Sequence, residues 1–396
     1  MSVNVLNADA IVIGAGIVGA SCALRLAERG LKVVVLERAA APATGSTGRS
    51  AAGVRHQFSD AVNVMLSRDS IVEYRRMPEA GYLPIGYLFY VPEPLWEPQM
   101  RAVAMQRALG ADVDVLTPEQ AVRIVPANVE GLRGATYCRD DGVVDPHGIC
   151  MTWVRQAREL GVRFAFGCEV ASLQHDGSAW QARAASGSGS GAGSVGTGAA
   201  TARAKLLVNA AGAWAGNVAR LAGLHVPVGP ARRMVFATGP LDESLRLPHP
   251  YPLTVDLGSG LWFRSERDRL IFGLSNPRDT GFVEGIDWPW LETTYEASLA
   301  HFPWFERLAV DRRASWWGYY EDTPDHNPIL GRMPGADGWI NACGFSGHGV
   351  QQAAATGRLI AQEAIGEPTA IDIGPLRIER FAAAAGRSGS GERLIV

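Results

Sequence analysis

The sequence predicts an α/β fold in two units, one opened by a strand–turn–helix–strand segment and the other a mixed, β-rich sheet. Three observations carry this. A short apolar run at 10–13 ends in Gly14-Ala15-Gly16-Ile17-Val18-Gly19. Helical periodicity over 18–29 stops at Gly30, a helix C-cap, and a valine-rich run at 32–37 follows. Much later, over 230–320, apolar and polar residues alternate with many tryptophans, as in β-rich structure.

At 396 residues the chain is too long for one compact core. Apolar residues make up 47% and charged residues 19%, an ordinary globular balance. A net charge of −3 supplies no basic field for nucleic acid. The five cysteines (Cys22, Cys138, Cys150, Cys168, Cys343) have no C-x-x-C spacing, which argues against a disulfide framework or a metal site and for a reducing compartment. Residues 10–27 are apolar enough to mimic a signal peptide or a span. No Lys or Arg precedes them, and three glycines and Arg25 interrupt them. The expectation is a cytoplasmic protein without a membrane span.

The remaining elements follow in order. A small, polar loop covers 41–53, and a helical pattern covers 61–77. The stretch to about 135 is dense in proline and aromatics and reads as a separate region. Asp145-Pro146 starts a helix reaching Leu160, with proline in its first turn. Strands follow at 162–166 and 169–173. The Gly/Ser/Ala tract at 186–200 cannot pack a core and is expected to be a flexible hairpin tip. A buried strand at 205–208 ends in Asn209-Ala210-Ala211-Gly212. The last part returns to α/β character, with a strand at 339–342, a glycine turn, and a helix at 349–364.

The glycine motif lies between a strand and a helix, and a second strand ending in Glu37 follows. That is the context of a Rossmann-type dinucleotide site. Gly14 permits the tight turn, Gly16 lets backbone approach a pyrophosphate, and Gly19 allows close helix packing. The helix N-terminus favours phosphate charge. Glu37 can accept ribose hydroxyls and would repel a 2′-phosphate, which disfavours NADP. The motif alone does not separate NAD from FAD.

Four further segments do so by resemblance. They are Gly45-Ser46-Thr47-Gly48-Arg49-Ser50-Ala51-Ala52-Gly53, Asn209-Ala210-Ala211-Gly212-Ala213-Trp214, Thr323-Pro324-Asp325 with Pro328 and Gly331, and Gly344-Phe345-Ser346-Gly347-His348-Gly349. In this order they resemble the D-amino-acid oxidase superfamily, which includes glycine oxidase, sarcosine oxidase, and D-amino-acid and dimethylglycine dehydrogenases. The resemblance covers residues 10 to about 365. Arg55-His56-Gln57-Phe58 and the Gly-Phe-Ser-Gly-His-Gly run are most similar to the sarcosine oxidase branch.

This resemblance implies FAD, and the absence of cysteine at 318 and of histidine at 50 implies that it is non-covalent. Its contacts would come from Gly14, Gly16, Ile17, Val18, Gly19, Glu37 and Arg38, and from Ser46, Thr47, Arg49, Ser50, Ala51, Ala52 and Gly53. Val170, Ala211, Gly212, Trp214 and Gly318 extend the set. Gly344, Gly347, His348, Gly349, Val350 and Gln351 complete it around the ring, where a helix N-terminus would stabilise negative charge on reduced flavin. Arg55 matches the arginine that grips a substrate carboxylate; the alternative is a structural ion pair. His348 is a candidate catalytic donor or a hydrogen-bonded structural residue. Arg264 is a second candidate anion partner. Tyr319 and Tyr320 are candidate walls of the substrate cavity, Tyr319 with a catalytic role and Tyr320 with a binding one, and Gln351 is a further substrate contact. Trp288, Trp290, Trp316 and Trp317 read as core or interface rather than an aromatic cage.

Departures from the family pattern matter. Gly318 stands where sarcosine oxidases tether FAD through cysteine, and Ser50 stands where related dehydrogenases use histidine. Gln351 replaces a lysine after the Gly-His-Gly turn. The stretch Leu270-Ile271-Phe272-Gly273 lacks the lysine that activates oxygen.

The sequence therefore predicts a Rossmann-type FAD-binding domain from 1–80, 145–225 and 322–396. A mixed-sheet substrate domain comes from 81–144 and 226–321. The expected reaction is oxidation of a C–N bond in a small amino acid or N-alkyl amino acid by hydride transfer to flavin N5, by a dehydrogenase with an unspecified electron acceptor. Oxidation of a 2-hydroxy acid is the alternative chemistry, with His348 as base. An FAD-containing subunit or assembly factor acting mainly through protein contacts is the alternative class. A homo-oligomer or a partner subunit is a further expectation.

Overall fold

The computed structural model describes residues 5–185, 201–383 and 391–394. The tract expected to be a flexible hairpin tip at 186–200 lies outside them.

The first unit is a six-stranded sheet. Its spatial order is Ile329–Arg332, Trp339–Cys343, Leu206–Asn209, Ala10–Ile13, Val33–Leu36, Arg163–Ala165. Every neighbouring pair is parallel except the first. All residues of Ala10–Ile13 and Val33–Leu36 are buried, because both sheet faces are covered. Helices Ile17–Glu28, Pro146–Glu159 and Gly349–Ile365 share one apolar core with the sheet. The other face packs on a four-stranded sheet formed by Val5–Asn7, Thr201–Ala204, Trp180–Ala184 and Val170–His175. Ile17–Glu28 crosses Gly349–Ile365 so closely that a Cβ on Gly357 would lie 2.2 Å from Ser21 Oγ. The second helix thereby brings its N-terminal turn to the carboxyl ends of the parallel strands.

The second unit is an eight-stranded sheet. Its order is Trp316–Asp322, Gly229–Ala237, Arg269–Gly273, Trp262–Glu266, Leu253–Asp256, Tyr87–Pro92, Leu132–Cys138, Val113–Leu116. Only Tyr87–Pro92 and Leu253–Asp256 pair in parallel, so the sheet is mixed. Its far face carries an aromatic core around Phe263, Phe272, Phe302 and Phe305. Burying each such ring contributes about 1.5–3 kcal/mol. The fold is thus the two-part α/β architecture expected.

Two of the longer helices were not anticipated. Glu93–Ala108 holds Pro94 in its first turn and tolerates Pro98 inside, and Trp290–Leu299 interrupts the β-rich region. The helix expected over 61–77 ends at Tyr74, since Pro78 drives Met77 to an extended conformation (φ −104°, ψ 107°).

Candidate active site

A long cavity separates the two large sheets. Ile13, Leu36 and Ala342 line it from one, and Arg233, Met234, Leu253, Trp262 and Gly318 from the other. The glycine turn forms one end. Gly14 has φ +105°, and a Cβ there would lie 2.4 Å from the Ala210 carbonyl oxygen. On Gly19 a Cβ would lie 2.0 Å from the Gly14 oxygen, so this glycine serves helix packing and does not line the cavity. A Cβ on Gly16 would meet only Thr47 Oγ1, at 3.3 Å, so bare backbone faces the cavity there. Glu37 lines the same end. Its carboxylate accepts the N–H groups of Ala15 (2.7 Å) and Ala39 (2.8 Å), which order the turn. Arg38 stacks over Trp214 at 3.6 Å, and Val170, Ala211 and Gly212 complete this wall.

The Ser/Thr loop runs along the middle. Thr47 Oγ1 accepts the Ile17 N–H (2.9 Å), and the Ser46 hydroxyl donates to the Tyr319 carbonyl (2.7 Å). These bonds tie the loop to both sheets. Arg49, Ser50, Ala51, Ala52 and Gly53 follow along the cavity, Ala52 with φ 65°. Gly318 faces Arg49, and a Cβ there would come within 3.1 Å of Arg49 Cβ.

The other end gathers Arg55, Tyr87, Tyr320, Gly347, His348, Gly349, Val350 and Gln351. Arg55 is 1% exposed, yet among the described residues no carboxylate lies within ion-pair distance of it. Its guanidinium lies over the rings of Phe58 (4.7 Å), Phe89 (5.5 Å) and Tyr87 (5.9 Å), and its Nε has no partner. One arm donates to the Leu394 carbonyl and lies 3.4 Å from His348 Nε2. Its backbone is fixed on both sides. The Gln351 side chain accepts the Arg55 N–H (3.2 Å), and Asp141 takes both the backbone N–H and Nδ1 of His56 (2.7 and 2.6 Å).

Burial and the Arg55 charge hold His348 well below the ordinary imidazole range, so its ring is neutral. Nε2 then accepts from Arg55, which assigns the proton to Nδ1. That buried Nδ1 has no partner, although His348 lines the cavity. Unspent groups of this kind fit a ligand that supplies acceptors.

Besides Gly19, three candidates fall differently from expectation. Arg264 does not line the cavity. Its guanidinium donates to the Ala51 carbonyl (3.0 and 2.8 Å) and pairs with Glu266 (2.8 Å), so it braces the loop from behind. Tyr319 lines the cavity, but its hydroxyl donates to the Val283 carbonyl (3.0 Å), which takes up the proton a catalytic role would need. Gly344 lies behind the turn, its N–H donating to Glu321 (2.8 Å).

Several lining residues were not singled out from the sequence. Tyr87, Arg233, Ser275 and Glu321 are among the polar ones. Arg233 pairs with Asp322 (3.1 Å) and lies 5.0 Å over Tyr320. Burial pushes the Glu321 carboxyl up to about 7. No motif marks Tyr87, Arg233 and Glu321, because they sit on strands whose inward face is set by distant pairing.

These residues fit FAD: a bare-backbone turn at a helix N-terminus, a carboxylate at Glu37, a hydroxyl-rich loop, and an unpartnered donor at the far end. The fold and site define a flavin-dependent oxidoreductase. The sequence profile of the FAD dependent oxidoreductase family, DAO, matches residues 9–363, and the chain belongs to that family. It is 31% identical to FAD-dependent oxidoreductase domain-containing protein 1 of Bos taurus, over 95% of this chain and 85% of that one. It is 26% identical to the mitochondrial sarcosine dehydrogenase of Homo sapiens, over 95% of this chain and 41% of that one. Among solved structures, L-proline dehydrogenase from P. horikoshii superposes with a TM-score of 0.85 at 25% identity, covering 97% of this chain and all of that one. Among the described residues no helix is long and apolar enough to cross a membrane.

Proposed function

We propose that this enzyme oxidises the C–N bond of a small amino acid or N-alkyl amino acid whose carboxylate is held by Arg55. The observation that carries the reading is Arg55 itself: a buried cation, lining the cavity, with aromatic faces and a neutral carbonyl where a carboxylate would be expected. A planar guanidinium can take a carboxylate by two parallel hydrogen bonds. The named relatives agree in chemistry, since sarcosine and L-proline are both N-substituted α-amino acids.

When bound, FAD supplies the two-electron sink for a hydride leaving the substrate's α-carbon. Glu37, the glycine turn and the 46–53 loop would hold it. Arg55 would orient the substrate through its carboxylate, and its charge disfavours an ammonium close by, so the amine binds without its extra proton. Phe58, Tyr87 and Phe89 keep water from the guanidinium. His348, neutral and with its proton on Nδ1, is a hydrogen-bond donor to bound ligand. That tautomer cannot take a proton from an alcohol at Nδ1, which favours amine over 2-hydroxy-acid oxidation. The five buried free cysteines support a reducing compartment such as the cytoplasm.

An anaerobic screen of the purified holoenzyme tests this. Sarcosine, N,N-dimethylglycine, L-proline, both alanine enantiomers and glycolate are mixed with enzyme while the oxidised-flavin absorbance is followed. Bleaching by one or more amino acids is expected. Bleaching by glycolate alone would reject amine oxidation.

A further inference from the structure

Residues 391–394 bring the chain back to the deep end of the cavity. Glu392 is 2% exposed, and among the described residues no cation lies within ion-pair distance of its carboxylate. The carboxylate accepts the Ser59 N–H (2.9 Å), the Ser59 hydroxyl (2.8 Å), the Asp60 N–H (3.2 Å) and the Asn63 side-chain amide (3.1 Å). These donors open helix Ala61–Tyr74, whose N-terminal partial positive charge favours an anion. The Arg393 N–H donates to Ser59 Oγ (2.9 Å), and the Leu394 N–H returns to Glu392 (3.0 Å). So pinned, the segment seats the Leu394 carbonyl on the Arg55 guanidinium.

A buried guanidinium on a flexible stem needs its arms fixed if it is to present a fork to a ligand. A carboxylate partner would fix it but would also cancel the charge a substrate needs. A backbone carbonyl fixes one arm and leaves the charge. We propose that Glu392, by clamping the Leu394 carbonyl against Arg55, is a positioning residue that sets the enzyme's affinity for carboxylate-bearing ligands. The inference rests on Arg55 being the carboxylate anchor.

The test is a titration of the holoenzyme with benzoate and with benzamide, each read from the perturbed flavin spectrum. Benzoate has no oxidisable C–N bond, and its ring suits a cavity end lined by Tyr87 and Tyr320; benzamide is its neutral counterpart. Wild type should bind benzoate more tightly than benzamide, and Arg55→Met should abolish that preference. Glu392→Ala should weaken benzoate roughly ten- to a hundredfold with benzamide unchanged, as expected for loss of a group that orients a ligand-binding residue. Glu392→Gln, which keeps the shape but not the charge, should fall between. Flavin content should be unchanged in both. Equal weakening of both ligands, or no change, would overturn the positioning role. Tighter benzoate binding would also overturn it, since the segment would then compete with the ligand. A wild type without the preference, or one whose preference survives Arg55→Met, would reject the anchor itself, a failure distinct from that of the clamp.

Discussion

In the proposed function, substrate binding turns on Arg55. Replacing it with methionine should cost roughly 3–5 kcal/mol in kcat/KM toward amino acids, as breaking a buried charge pair does. Arg55→Lys should recover only part, because an ammonium lacks the fork. Steady-state kinetics on both variants checks this, with near-normal activity of Arg55→Met as the contrary result. Glu321 gives a pH-dependent prediction. Its folded pKa of about 7 lies above the ordinary carboxyl value of 4.5, so the native state keeps a proton the unfolded chain gives up. Its contribution is fully present below pH 4.5 and is lost as pH rises through 7, a change on the order of 3 kcal/mol. Denaturant unfolding of Glu321→Gln should therefore show its stability relative to wild type rising across that window, and a flat difference would refute the assignment. His348 acts oppositely: its stabilisation is present above pH 6.5 and lost as pH falls below it. At this scale the sequence placed Arg55 and His348 through their motifs, and both line the cavity. It could not place the partners of Arg264 and Tyr319, because the Ala51 and Val283 carbonyls they donate to lie 213 and 36 positions away.

The glycine turn and its helix are the element most fully legible. Strand, turn, helix and second strand lie close together in sequence, and glycine is required at 14 and 19 because an added Cβ would lie 2.4 and 2.0 Å from backbone oxygens. Gly19→Ala should accordingly destabilise the protein by about 1–3 kcal/mol and release flavin, read by thermal unfolding and by the flavin spectrum of purified protein. The strand Trp316–Asp322 carries the complementary prediction. Gly318 offers no sulfur and Ser50 no imidazole, so the FAD should be non-covalent. Acid precipitation should leave the yellow colour in the supernatant; colour in the pellet would contradict this. Helices Glu93–Ala108 and Trp290–Leu299 were illegible for a physical reason. Proline inside one and the surrounding strand-like alternation in the other mask the helical period, and tertiary packing decides the outcome.

At the scale of the molecule, the two sheets enclose a cavity whose ends are lined by the glycine turn and by Arg55 and His348. The existence of two sheets was legible from hydrophobic pattern. Their strand order was not, because neighbours such as Tyr87–Pro92 and Leu253–Asp256 are far apart in the chain. The same order bears on electron transfer. Ile271 stands across from Arg264, but that cation is paired with Glu266 and donates to the Ala51 carbonyl, so no unpaired charge is offered there to oxygen. Reoxidation of reduced enzyme by air-saturated buffer in stopped flow should therefore be slow relative to turnover with an artificial dye acceptor; equal rates would mark an oxidase. The central claim is that Arg55 holds the carboxylate of an amine substrate inside this cavity. It is tested most directly by the anaerobic rate of flavin reduction with the best amino acid and with its uncharged amide, in wild type and in Arg55→Met. The amino acid should reduce the wild type far faster than the amide, and the variant should reduce both at the same slow rate. An amide that reduces the wild type as fast as the acid, or a difference that survives Arg55→Met, would contradict it.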